Sequence, residues 1–193
     1  MSKIKVVLAS KSPRRRELLR NIFDEFDIIT RDTDETFPER MHPKEAVGIL
    51  AVRKGAAVAK ELSFDTLVIS SDTLVELGGI PLGKPESEEE AVKMLLSLSG
   101  KTHNVHTGVA VHYKGRVYSG VDTAEVSFRE LSREQVVSYV KTGEPMDKAG
   151  AYAIQGIGGE LVSKYEGEFN TIVGLSLNLT KKLIDMAVCD DEE

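Results

Sequence analysis

The chain has 193 residues, a net charge of −6 and a hydrophobic fraction of 41%, enough to build a sizeable core in one domain or two joined lobes. The acidic balance argues against broad electrostatic binding to nucleic acid or to an anionic membrane. No apolar run reaches the roughly 18 residues of a membrane span, and no signal-peptide pattern opens the chain. We therefore expect a cytoplasmic protein. The single cysteine, Cys189, cannot form an internal disulfide, which agrees with a reducing compartment.

Helical and extended patterns alternate along the first half of the chain. Strands are predicted over residues 5–9, 26–30 and 66–70, and helices over residues 13–23, from Pro43 to about residue 62, and over 87–97. The polar stretch 31–42, which contains Pro38, is predicted to be a loop. Gly78 and Gly79 indicate a short hairpin after the third strand.

Two long alternating runs, 102–113 and 116–128, open the second half and predict an antiparallel hairpin that turns at Lys114 and Gly115. A helix over 132–141 with Ser132 as its N-cap, a strand over 160–165 and a last helix ending near residue 187 follow. This order predicts an α/β fold with a mixed sheet. We expect residues 1–193 to form a single domain.

The first predicted helix begins with positive charge. Ser12 is a good N-cap and Pro13 a good first helical residue, so Arg14 and Arg15 fall in the first turn, where they oppose the helix dipole. A docked anion would explain this pattern, because backbone N–H groups, the hydroxyl of Ser10 and two guanidinium groups would converge on phosphate oxygens. The alternative is a solvated basic helix face.

Two acidic residues follow predicted strands. Asp72 comes just after the strand over 66–70, at the edge where open α/β sheets bind ligands, and Glu35 lies in the loop after the second strand. Together they can hold Mg²⁺, with phosphate oxygens and waters as its remaining ligands. The alternatives are a turn-forming aspartate and an exposed loop acid.

Two lysines occupy unusual positions. Lys84 stands between Gly83 and Pro85 in a rigid loop and can contact phosphate, although a plain surface lysine is the alternative. Lys54 falls on the apolar stripe of its helix. An inward lysine needs a partner, whereas a snorkelling lysine does not.

The segment 143–156 is rich in turn-forming residues and carries Asp147, Lys148 and Gln155. We expect Lys148 and Gln155 to bind substrate. The amide of Gln155 can pair with both N3–H and O4 of a uracil or thymine ring. Alternatively, that amide satisfies backbone groups of its own loop.

Taken in order, these segments resemble the Maf family of nucleotide pyrophosphatases over nearly the whole chain. The motifs that carry the resemblance are 8–19, Ser71-Asp72-Thr73, Gly83-Lys84-Pro85, 98–100, 106–109, 144–152 and Ile154-Gln155-Gly156. No single motif is decisive, but their order and spacing are specific. Two positions depart from the family pattern: Ala153 stands where glycine is frequent, and Ser176 where proline is common.

The resemblance implies hydrolysis of a nucleoside triphosphate between its α- and β-phosphates, assisted by Mg²⁺ or Mn²⁺. It implies a mixed, partly antiparallel and curved sheet flanked by helices, with two lobes around a cleft. At matching positions, Asp72 resembles the catalytic acidic residue and a metal ligand, and Glu35 a metal or water ligand. The residues that resemble triphosphate contacts are Ser10, Arg14, Arg15, Lys54 and Lys84.

Three positions match those that set base preference in the family: Arg14, Thr73 and Gln155. One branch prefers dTTP and UTP. Another prefers 7-methyl-GTP and typically has Trp, Gln and Glu at these positions. The chain has the first pattern, so the resemblance implies dTTP and UTP as substrates.

Two readings from other classes stay open. The family has been linked to septum formation and cell-division arrest, so a regulator that binds nucleotide without turnover is one alternative. A nucleic-acid binder acting through residues 14–16 is disfavoured by the acidic balance and the absence of tryptophan. The role would be nucleotide pool sanitation or division control, and base rates favour a homodimer if the chain assembles.

Overall fold

The computed structural model describes residues 4–38 and 40–189, which form two compact units. The first unit contains the described residues up to Asp72, together with Thr107–Asp122 and the described residues from Gly174 on. The second unit contains Thr73–His106 and Thr123–Val173. The single domain over 1–193 stays a prediction.

Seven strands are found within the described residues: β1 (Val6–Leu8), β2 (Asp27–Ile28), β3 (Leu67–Leu77), β4 (Ile80–Leu82), β5 (Thr102–Tyr113), β6 (Arg116–Phe128) and β7 (Val162–Glu166). The α-helices are α1 (Pro13–Leu19), α2 (Pro43–Ala59), α3 (Glu88–Leu98), α4 (Arg133–Val140), α5 (Phe169–Val173) and α6 (Leu177–Cys189). Short 3₁₀ helices lie at Glu144–Asp147, Ala149–Ala151 and Ile157–Leu161. In this described part of the chain, no helix has the length and apolar character to cross a membrane.

The strands form one mixed sheet in the order β2-β1-β3-β5-β6-β7, and β4 pairs with β3. Strand β1 runs parallel to both β2 and β3. The pairs β3–β4 and β6–β7 are antiparallel. The predicted α/β fold with a mixed sheet flanked by helices is therefore confirmed.

In the first unit, apolar side chains cover both faces of the parallel strands. Because successive side chains point to opposite faces, Leu8 and Ile69 pack into one cluster, which also contains Leu183 of α6. Val7 and Val68 face the other way and pack with side chains of α2. This sandwich holds α2 and β3, the two elements that carry Lys54 and Asp72, in fixed positions.

Two glycines let the first unit pack closely around α2. A Cβ at Gly55 would lie 2.5 Å from the His112 ring and from Ser70 Oγ, and one at Gly108 would overlap the carbonyl of Val47. The helix backbone therefore lies almost directly on β3 and β5. Since Lys54 is next to Gly55, this close approach also fixes the backbone position of Lys54.

The second unit has its own core, formed between the sheet and helices α3 and α4. Leu95 and Leu98 from α3 and Val136 from α4 are fully buried in it. Helix α4 starts with a capping box in which Ser132 accepts from the Gln135 N–H and the Gln135 side chain accepts from the Ser132 N–H. The predicted N-cap is confirmed.

The third strand is longer than its sequence pattern predicts. The prediction that it ends at residue 70 and leaves Asp72 beyond its end is wrong, because β3 continues to Leu77. Pairing with β1 stops at Ile69, while polar residues continue the strand beyond the last of these pairs. Asp72 thus lies three residues past the end of the parallel pairing, inside a strand that fixes its backbone.

Candidate active site

In the first unit, one ammonium group joins two carboxylates. Lys54 Nζ lies 2.6 Å from Asp72 Oδ1 and 3.0 Å from Glu35 Oε1. The side chains of Lys54 and Asp72 are 17% and 11% exposed, and that of Glu35 is 64% exposed. Lys54 therefore points inward and has acidic partners. It does not extend toward solvent as a snorkelling lysine would.

The basic first turn of α1 is built around two serine hydroxyls. Ser12 Oγ accepts from the Arg15 N–H as the N-cap of the helix. The buried Ser10 Oγ accepts from the Ser12 N–H (3.2 Å) and from Arg15 Nη1 (3.4 Å). Arg15 Nε donates to the carbonyl of Gly174 at 2.9 Å. The guanidinium group is thus oriented by contacts at two of its nitrogens.

Arg15 also shares an electrostatic environment with the carboxylates. Burial lowers the pKa of Arg15, and the charge of Arg14 lowers it further, whereas Asp72 and Glu35 raise it. The guanidinium stays protonated at neutral pH, because an arginine side chain is not deprotonated in proteins. The first unit therefore brings together six of the predicted site residues: Ser10, Arg14, Arg15, Lys54, Asp72 and Glu35.

The carboxylates of this group fit a divalent cation. Both oxygens nearest Lys54 lie within 3.0 Å of the same Nζ, so they already surround a position occupied by positive charge. Carboxylate oxygens are the ligands that Mg²⁺ and Mn²⁺ prefer. Asp72 and Glu35 could hold such an ion, and their role as metal ligands stays a prediction.

In the second unit, the loops that carry Lys84 and Lys148 are adjacent. The Gly150 N–H donates to the Gly83 carbonyl at 3.0 Å. Lys84 is exposed, whereas Lys148 contacts the Asp147 carboxylate and donates to a backbone carbonyl at 3.4 Å. Thr73 directly follows Asp72 along β3.

Gln155 lies exposed on a loop whose backbone is held from behind. Glu144 Oε2 accepts from the Tyr139 hydroxyl (2.7 Å) and the Gly158 N–H (2.8 Å), and its Oε1 accepts from the Ile157 N–H (3.0 Å). The Tyr139 oxygen in turn accepts from the Ala153 N–H at 3.3 Å. The backbone on both sides of Gln155 is thus tied to one acid and one phenol.

Sequence reasoning missed the residues that hold these groups. Nothing in the sequence indicated that Glu144 and Tyr139 hold the loop around Gln155. Sequence reasoning also missed Gly174, whose carbonyl accepts from both Arg15 Nε and Ser71 Oγ. Backbone acceptors leave no mark in a sequence.

A buried acid–histidine pair in the second unit was missed as well. Glu76 Oε2 lies 2.8 Å from His106 Nε2, and His106 Nδ1 lies 2.9 Å from the Thr123 hydroxyl. Glu76 Oε1 accepts from the Gly79 N–H at 2.7 Å. This network ties the turn between β3 and β4 to strands β5 and β6.

The chain is similar to proteins of one family along almost its entire length. A family model described as "Maf-like protein" matches residues 5–187. Three proteins named dTTP/UTP pyrophosphatase are similar to this chain. The one from Moorella thermoacetica is 48% identical to it over 93% of both chains, and the one from Desulforamulus reducens is 45% identical over 90% of this chain and 91% of its own. The one from Thermococcus kodakarensis is 44% identical over 94% of this chain and 96% of its own.

A solved structure, that of the Staphylococcus aureus Ham1 protein, has the same fold with a TM-score of 0.50 and 19% identity, covering 98% of this chain and 100% of that one. The family model covers the basic turn, Asp72 and the loop around Gln155. The chain therefore belongs to the family of Maf-like proteins.

Proposed function

We propose that the chain hydrolyses nucleoside triphosphates, with dTTP and UTP preferred, to the nucleoside monophosphate and pyrophosphate. The observation that carries the proposal is the Lys54 ammonium group between Asp72 and Glu35, with the oriented guanidinium of Arg15 in the same electrostatic environment. A family whose relatives are named dTTP/UTP pyrophosphatases supports it.

In this proposal, cationic side chains bind the triphosphate. Arg14 and Arg15 offer planar guanidinium groups that suit phosphate oxygens, and Ser10 adds a hydroxyl. Lys54, Lys84 and Lys148 offer ammonium groups. These charges offset the negative charge that builds on the phosphates as the bond breaks.

Asp72 acts on the attacking water. One carboxylate oxygen, Oδ1, accepts from Lys54, so we assign the other oxygen to the water. Asp72 takes a proton as the water oxygen bonds to the α-phosphorus. The bond from that phosphorus to the bridging oxygen then breaks, and pyrophosphate leaves. A divalent ion held by Asp72 and Glu35 would polarise the phosphate and offset its charge when bound.

Base preference is assigned to three positions. The Gln155 amide pairs with N3–H and O4 of uracil or thymine, and Thr73 and Arg14 match the same branch of the family. Cytosine lacks the N3–H donor and carries an amine at C4, so it offers the opposite pattern. The assignment therefore favours dTTP and UTP over CTP.

The experiment that tests the function is turnover of dTTP, UTP, CTP, ATP, GTP and 7-methyl-GTP with Mg²⁺ or Mn²⁺, with the products identified. Monophosphate and pyrophosphate from dTTP and UTP are expected. Preference for 7-methyl-GTP would overturn the base assignment and keep the reaction. Tight nucleotide binding without any product, in the presence of either metal, would mean that the chain is a nucleotide-binding regulator and not an enzyme.

The cellular setting stays a prediction. A cytoplasmic location, a homodimer, and a role in pool sanitation or division control are expectations from the sequence and the resemblance. They do not affect the chemistry assigned to Asp72 and Lys54.

A further inference from the structure

The carboxylate of Glu144 organises the loop that carries Gln155. It accepts three hydrogen bonds, one from the Tyr139 hydroxyl and two from the backbone N–H groups of Ile157 and Gly158, at 2.7–3.0 Å. Two of these donors belong to residues that follow Gln155. A single side chain thus fixes the path of the backbone beyond the candidate base-reading residue.

Tyr139 holds the same loop from its other side. Its oxygen donates to Glu144 and accepts from the Ala153 N–H at 3.3 Å, two residues before Gln155. The Tyr139 side chain is fixed in turn, because the residue is 4% exposed in the core of the second unit. Movement of the loop is therefore opposed at both ends.

Two glycines make this clamp sterically feasible. A Cβ at Gly156 would overlap the Glu144 carboxylate, and one at Gly158 would lie 2.5 Å from the Tyr139 oxygen and 3.0 Å from Ala153 N. The loop backbone therefore comes as close to the clamp as glycine allows. An arrangement this tight holds the loop in one conformation.

The electrostatics of the clamp favour an ionised carboxylate. Burial raises the pKa of Glu144. The hydrogen bonds from Tyr139, Gly158 and Ile157 together lower the pKa by more than burial raises it, so the net shift is downward. Burial and the Glu144 carboxylate both raise the pKa of Tyr139. At neutral pH the pair is thus an acceptor-only carboxylate facing a neutral phenol.

We propose that Glu144 and Tyr139 are positioning residues that set base selectivity by holding the loop on both sides of Gln155. The inference rests on the proposed function, because it assigns the clamp to the base preference of that reaction. Gln155 itself is exposed, so the backbone of its loop sets the position from which its amide can reach the base. An amide that can turn over would pair with uracil and cytosine alike.

The test uses Glu144→Gln in the full chain. One carboxylate oxygen becomes an NH₂ group, so at least one backbone N–H then faces another donor. The ratio of kcat/KM for UTP to that for CTP is expected to fall by roughly tenfold, through KM for UTP more than through kcat. The matched control is Glu160→Gln, which removes the same charge from an exposed residue just after the loop and should leave the ratio unchanged.

A double-mutant cycle with Gln155→Ala separates positioning from general stability. If Glu144 acts through Gln155, the double variant will show the UTP/CTP ratio of Gln155→Ala alone. If the UTP/CTP ratio of the double variant falls by the product of the two single-variant effects, the inference is overturned. A wild-type ratio in folded Glu144→Gln would also overturn it.

A second variant and a second readout cover the case in which Glu144→Gln fails to fold. Tyr139→Phe removes only the hydroxyl, and we expect faster amide hydrogen exchange in a peptide spanning residues 153–158 together with the same fall in selectivity. Unchanged exchange and selectivity would overturn the clamp while the proposed function stands. Wild-type protein that turns over no triphosphate would instead overturn the proposed function.

Discussion

In the first unit the candidate catalytic carboxylate is held by another side chain, whereas in the second unit the candidate base-reading loop is held through its backbone. Lys54 contacts Asp72 and Glu35 with charge on both sides. Glu144 contacts two backbone N–H groups and a phenol. The first arrangement places charges on a helix and a strand, and the second fixes the shape of a loop.

This difference matches what each group has to do. Phosphate binding and water activation depend on charges in fixed positions, so the first unit uses elements sandwiched in its core. In the proposed function, base recognition depends on the amide of Gln155, and the held loop fixes the backbone from which that amide extends. The two regions should therefore be sensitive to different changes. The first unit should be sensitive to the loss of a charged side chain. The second unit should be sensitive to the loss of a hydrogen bond or to the protonation of a buried side chain.

The largest expected effect comes from removing the charge of Asp72. Asp72→Asn should lower kcat for dTTP by about 10²–10⁴-fold, because an amide cannot take the proton from water. The measurement is steady-state turnover together with the circular dichroism spectrum. Asp65→Asn, which alters an exposed aspartate near the start of β3, should retain normal turnover. Near-normal rates in a folded Asp72→Asn protein would remove Asp72 from the mechanism.

A smaller effect is expected from Lys54→Met, measured as the free energy of unfolding in urea. The substitution leaves the mostly buried Asp72 without its ion-pair partner and should cost about 3 kcal/mol. Glu35→Gln should cost less than about 1 kcal/mol, because the Glu35 side chain is 64% exposed. Equal losses in the two variants would contradict the view that burial makes the Lys54–Asp72 contact the stronger one.

The sequence predicted those parts of the fold that have a local pattern. The hairpin of β5 and β6 appears at its predicted bounds, because alternating apolar residues flank a turn in which Lys114 and Gly115 both adopt positive φ angles of 48° and 73°. Ser176, a departure from the family pattern, accepts from the Leu179 N–H near the start of α6. A serine can support the start of a helix as well as a proline can.

The sequence failed where long-range contacts decide the structure. The polar residues after Ser70 suggested that the strand had ended, yet β3 continues to Leu77 through contacts with other strands. Lys54 and Asp72 are 18 positions apart, so their pairing depends on how α2 packs on the sheet. The Glu144 clamp was beyond prediction because its backbone donors have no side-chain signature.

The smallest effect concerns the second unit and a histidine that is not part of the clamp. His103 lies in the core, 2.8 Å from the Tyr152 hydroxyl through Nε2, and its ring packs edge-on against Phe128 and Tyr152. Burial lowers the pKa of His103 to about 4. The unfolded chain therefore binds a proton below about pH 6.5, which the folded chain does not bind until about pH 4.

Stability contributed by neutral His103 is thus present above pH 6.5 and is lost as the pH falls toward 4. Between pH 7 and pH 5 the free energy of unfolding should decrease by about 2 kcal/mol from this residue. In His103→Gln, whose amide does not titrate and can still bond to Tyr152, that part of the decrease should disappear. Urea unfolding of both proteins at the two pH values measures the difference. If both proteins lose the same stability, the acid sensitivity of the chain comes from its carboxylates and not from His103.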